Sequence, residues 1–216
     1  PGLPVRLLTD PLGRALVGAV GPEDAGSRAA EVLGDVEHSY MAALVLKVLA
    51  GEVDVLLHAI GIAAALPHVL APGERIMSVS IDHDGGGTAG SAGLGVGDLV
   101  TDRQVAEFTF IRWSTTSGNG QREVKLLRDL IKLDLLDDDL AGGRRRVLYV
   151  TGGAPALHFL SSGQTIAKKL GRNADVLVRL QDRHADRFVK VGAYWDHVRR
   201  DDRIELVDLH DLAPSL

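Results

Sequence analysis

The chain has 216 residues, 45% of them apolar and 25% charged, with a formal net charge of −5. That length holds one α/β domain with its own core, and the acidic balance argues against a protein that coats nucleic acid non-specifically, though not against a local basic groove. Cysteine is absent, which excludes a disulfide framework and a Cys-based zinc site and fits a cytoplasmic protein.

Residues 1 to 20 carry two short apolar runs, Val5 to Leu8 and Ala15 to Val20, split by Pro11-Leu12-Gly13, and predict a small hairpin or an extended arm. From Gly26 to Ala50 the pattern is helical: Val36, Tyr40, Leu44 and Val48 recur every fourth residue, and Gly51 is a natural stop. A second helix is expected from Glu52 to Leu66, ended by Pro67. Its apolar run, Val53 to Ala65, is interrupted by Asp54 and His58 and is too short to span a membrane. No secretory signal is expected.

Arg75 to Asp82 alternates and predicts a strand. Gly85 to Gly97 follows, with seven Gly in thirteen residues. It lacks a Gly-Lys-Ser/Thr ending and precedes a strand, so a phosphate loop is disfavoured. Asp82-His83-Asp84 beside it fits a surface turn better than a metal site. Two strands are expected at Asp98 to Val100 and Val105 to Trp113, then a helix from Gln121 to Leu136. That helix sets Val124, Leu127, Leu130 and Ile131 against Lys125, Arg128 and Lys132. A strand follows at Arg144 to Thr151; its basic run Arg144-Arg145-Arg146 fits a solvated loop end, and Thr151-Gly152-Gly153-Ala154-Pro155 a turn. Further on, the pattern gives a helix near Gln164 to Leu170, a strand or helix at Asp175 to Leu180, and strand-like pieces at Phe188 to Val191 and Ile204 to Val207. The expected whole is a single α/β domain over residues 1–216, with a mixed central sheet flanked by helices.

The pair Asp98 and Glu107, with eight residues between them, carries the chemical signal. Carboxylates on neighbouring strands can converge on a divalent ion that activates water. Side chains alternate along a strand, so Glu107 and Thr109 share one face, while Phe108 and Phe110 share the other. Glu37 lies four residues before Met41, on or near the apolar stripe of its helix, where an acid needs a partner. Plain readings exist for each: a solvent-edge acid at Glu37, a turn residue at Asp98, a wet edge-strand face at Glu107, a simple β-former at Thr109.

Over Glu37 to Thr151, about half of the chain, this pattern resembles the PD-(D/E)xK nuclease-like superfamily. The segments Ala106 to Trp113 and Arg144 to Val150 are also similar to a set of uncharacterised bacterial nuclease-like proteins whose strand has Lys at the place of Thr109. The resemblance implies a restriction-endonuclease-like αβββαβ core over about 27–151 and a C-terminal extension over about 152–216. It also implies Asp98, Glu107 and Glu37 as metal ligands, Mg2+ or Mn2+ as cofactor, and DNA, in preference to RNA, as substrate. A homodimer and a polar active-site role for Gln121 are further expectations. Thr109 cannot supply the charge of the motif Lys, and Lys125 or Arg128 would have to reach in from the helix. The expected function is a metal-dependent nuclease-like protein acting on DNA phosphodiesters, active or degenerate. The alternative is a catalytically inactive nuclease-fold module that binds nucleic acid or a protein partner. A third reading is an unrelated α/β small-molecule binder using the Gly-rich loop.

Overall fold

The structure is a computed structural model and describes residues 6–49, 54–80, 97–110, 113, 119–136, 141–171, 173–200 and 203–214. It is an α/β protein. Its strands form a five-stranded mixed sheet of order β1-β2-β3-β4-β5. The chain divides into two compact units, Pro1–Val105 with Asp211–Leu216, and Ala106–His210. The division falls inside strand β3, Gln104–Thr109.

The first unit opens on four helices: α1 Arg6–Leu16, α2 Gly21–Leu33, α3 Val36–Leu49 and α4 Asp54–Val69. The expected hairpin at the N-terminus is thus a helix. Leu12 and Leu16 are one turn apart and both fully buried, and that pair outweighs the single backbone bond that Pro11 removes inside α1. The helical stretch expected from Gly26 to Ala50 is two helices. Gly34 adopts φ 73° between them, and Asp35 caps α3 by accepting the His38 amide at 2.9 Å. α4 runs through Pro67, which lies exposed near its end. Its residues Ile60, Ile62, Ala63 and Leu66 are buried, as its nearly uniform apolar sequence demands.

β1 (Ile76–Val79) pairs antiparallel with β2 (Leu99–Thr101). The entry to β1 is held by Glu74, a buried acid that the sequence pattern did not single out. Its carboxylate accepts the Ala71 amide at 2.8 Å, the Gln104 side-chain amide at 3.0 Å and the Thr101 hydroxyl. Three donors offset the cost of removing that charge from water.

The second unit continues from β3 into α5 Gly120–Asp134, β4 Arg145–Val150, α6 Gly153–Leu160, α7 Ile166–Leu170 and α8 Ala174–His184. A short 3-10 turn, Ala185–Arg187, leads to α9 Val191–Val198 and β5 Glu205–Asp208, and α10 Leu209–Leu212 begins in this unit and ends in the first. β5 pairs in parallel with β4, Val147 opposite Glu205 and Val150 opposite Asp208. The expected strand at Phe188 to Val191 reduces to a single bridge, Thr165 to Lys190, before α9 begins. Phe108 is fully buried and stacks on Tyr149 of β4 and on Phe110, as the apolar face of β3 predicts. Among the described residues, no helix is long and apolar enough to cross a membrane.

Charge is divided unevenly. Residues 106–210 carry 18 Lys and Arg against 15 Asp and Glu, a net +3. The remainder carries 6 against 14, a net −8.

Candidate functional site

The face of β3 that bears Glu107 and Thr109 is covered by α5. Glu107 is 2% exposed and Thr109 is fully buried. Lys132 Nζ of α5 lies 2.8 Å from Glu107 Oε1. One strand step on, the Thr109 hydroxyl donates to Asp129 Oδ2 at 2.6 Å, and Lys125 Nζ reaches the same oxygen at 3.1 Å. Two acids, two ammonium groups and one hydroxyl therefore form a zipper between strand and helix. At 3.6 residues per turn, positions 125, 129 and 132 fall within an arc of about 60°. The two strand residues project to one side, about 7 Å apart. Arg128 falls outside that arc and is exposed, and so is Gln121.

Lys125, the residue that the resemblance would have stand in for the motif Lys, meets Asp129 of its own helix. Lys132 and Asp129 are the residues the sequence reading missed. The helical pattern places Lys132 only on the face of α5 opposite its apolar stripe, with Lys125 and Arg128. An Asp set between Leu126-Leu127 and Leu130-Ile131 was the available signal, because a carboxylate in such a run must meet a donor.

The other expected ligands belong to the first unit. Asp98 is 8% exposed at the start of β2, and its Oδ2 lies 3.1 Å from His58 Nε2 on α4. The interruption of the α4 apolar run by His58 thus marks a buried acid–imidazole pair. Glu37 stands in the first turn of α3 and is exposed, so the expectation that it sits on the apolar stripe is corrected. At that position it suits the positive end of the helix dipole and needs no buried partner. Among the described residues, no group of three or more His, Asp or Glu side chains is arranged to hold a metal ion. Asp82-His83-Asp84, the Gly-rich stretch up to Val96, and Arg112 lie outside the described residues.

The other motifs resolve into structural parts. Arg145 pairs with Glu205 across β4 and β5. Arg146 is buried, contrary to the solvated loop expected there. Its guanidinium donates to the carbonyls of Asp134 at 3.3 Å and Leu136 at 3.2 Å, closing the C-terminal end of α5. After β4, Gly152 turns at φ 79° and Gly153 opens α6. The Asp208 carboxylate accepts the Gly152 amide at 3.2 Å and also that of Gly153. The place an anion would take at this loop holds the protein's own carboxylate, and the segment is the turn that the sequence predicts.

Comparison of the chain with protein-family models, with curated proteins and with solved structures gives no match.

Proposed function

We propose that this chain is a nuclease-like module of the PD-(D/E)xK type that has given up cleavage and binds nucleic acid through its basic unit. The order α4, β1, β2, β3, α5, β4 supports the αβββαβ core that the resemblance implies. The observation that carries the reading is the closure of Glu107. Its carboxylate is 2% exposed and held by Lys132 at 2.8 Å. A divalent ion there would have to displace that ammonium and enter a closed interface. As they stand, these residues do not fit Mg2+ or Mn2+. Thr109, where the motif has Lys, spends its hydroxyl on Asp129.

Binding is favoured by the +3 balance of residues 106–210 against −8 elsewhere. The experiment is fluorescence anisotropy with labelled single- and double-stranded DNA across a salt series, with the oligonucleotide recovered afterwards on a denaturing gel. Binding that weakens as salt rises, with full-length DNA recovered in Mg2+, supports the reading. Absence of binding at low salt overturns it.

One observation favours active hydrolysis as a second reading. Lys125 Nζ touches the carboxylate that holds Thr109, so an amine stands next to the place of the missing Lys. Metal-dependent shortening of the DNA, lost in Lys125→Ala, would select that reading.

A further inference from the structure

The second unit holds another concentration of charge, built from α5, α8, α9 and the turn before β5. Asp134, 1% exposed, ends α5. Its Oδ2 accepts the Tyr194 hydroxyl at 3.0 Å and lies 2.6 Å from His184 Nε2, while its Oδ1 is 3.5 Å from an Arg203 nitrogen. Of the charged and imidazole groups here, His184 and Arg203 reach this carboxylate, and His197 and Arg187 pack beside them through Phe188. The His184 and His197 rings meet edge to face, 5.5 Å between centroids. Phe188 stacks on His197 at 4.8 Å, and the Arg187 guanidinium lies over the Phe188 ring at 5.2 Å. The other Arg203 nitrogen lies 3.5 Å from His197 Nε2.

Arg203 is poorly satisfied by this arrangement. Guanidinium has five N–H donors, and its two side-chain contacts here are both at 3.5 Å, the long limit for a hydrogen bond. Its side chain is 35% exposed, and Arg187 is exposed as well. Tyr194 and His184 already occupy Asp134 Oδ2, so the carboxylate cannot bind Arg203 with both oxygens. His197 is held below its ordinary imidazole range, first by burial and then by the charges of Arg187, Arg203 and His184, against the opposing pull of Asp134.

The geometry points to a phosphate-oxyanion site formed by Arg203, Arg187 and His197, with Phe188 as its apolar floor. A planar guanidinium matches two phosphate oxygens, and an anion beside His197 lets the imidazole take a proton and become a third donor. The site goes beyond the nucleic-acid reading and does not rest on it.

The test follows the His197 ring by NMR across pH, in phosphate and in chloride of equal ionic strength. Phosphate raises the His197 midpoint more than chloride does, and Arg203→Gln weakens phosphate binding about tenfold or more. Arg187→Gln, exposed and without a contact to Asp134, gives the same direction should Arg203→Gln fail to fold. An equal response to chloride, or unchanged phosphate affinity in the folded variants, overturns the site. An oligothymidylate without terminal phosphates separates the sources. If it also moves His197, the ligand is a nucleic-acid backbone phosphate. If only inorganic phosphate acts, the site stands and the ligand is a free or terminal phosphate, which counts against the nucleic-acid reading.

Discussion

Replacing Lys132 by Met keeps the aliphatic stem and removes the charge that faces Glu107. At 2.8 Å the pair attracts by about 6 kcal/mol at an effective dielectric of about 20. Desolvation of both ions offsets much of that, so the intact pair contributes little net stability. Loss of one partner is different, because Glu107 is then left charged and 2% exposed. Breaking a buried pair in this way costs about 3–5 kcal/mol. The Lys132 side chain is 23% exposed, so water relieves part of the penalty. We expect a loss of about 2–4 kcal/mol, read by urea unfolding at neutral pH. Glu107→Gln combined with Lys132→Met should be more stable than the sum of the single losses, because the second change removes the stranded charge. A loss below about 0.5 kcal/mol in Lys132→Met, or strict additivity in the double variant, would refute the buried pair.

Thr109→Val preserves shape and deletes the hydroxyl given to Asp129; it should cost about 1–2 kcal/mol in the same unfolding assay, and no loss would mean the contact does not form. Gly153→Ala places a methyl 2.8 Å from Asp208 Oδ2 and 2.9 Å from its Cβ. That crowding should lower stability by about 1–3 kcal/mol, whereas Gly163→Ala, with nothing within 4 Å, should be tolerated. His197 is held below its ordinary value of 6.5, so the fold favours the neutral ring. Its contribution to stability is present above pH 6.5 and lost as pH falls through its lower folded value. In chloride, His197→Gln should flatten that acid limb; an unchanged pH profile would contradict the assignment. Tyr194 is raised well above its ordinary value, by burial first and then by Asp134. Stability should therefore be lost as pH rises beyond 10, and Tyr194→Phe should reduce that alkaline loss, leaving the part owed to the buried Tyr40.

The regular elements near the candidate site were legible because their periods are plain. β3 alternates and buries Phe108 on one face and Glu107 and Thr109 on the other, while α5 shows a helical stripe. The N-terminal helix was obscured by Pro11, whose local preference yields to the burial of Leu12 and Leu16. The division at Gly34 was written in Gly34-Asp35, a turn residue followed by a cap, inside what read as one periodic run. What a sequence conceals is partnership. Glu107 stood out as an acid in a strand, but only the packing of α5 pairs it with Lys132 instead of leaving it open. Arg146 likewise read as surface charge, because a helix end twelve residues upstream becomes its partner only in the fold.

On the reading proposed above, the β3 acid is paired within the protein by Lys132 and is closed to a catalytic metal. Calorimetric titration of the whole chain with Mn2+ tests it most directly, with Glu107→Gln as the reference. The two proteins should give the same heats, with no binding that depends on Glu107. Stoichiometric Mn2+ binding by the native chain that vanishes in Glu107→Gln would contradict it.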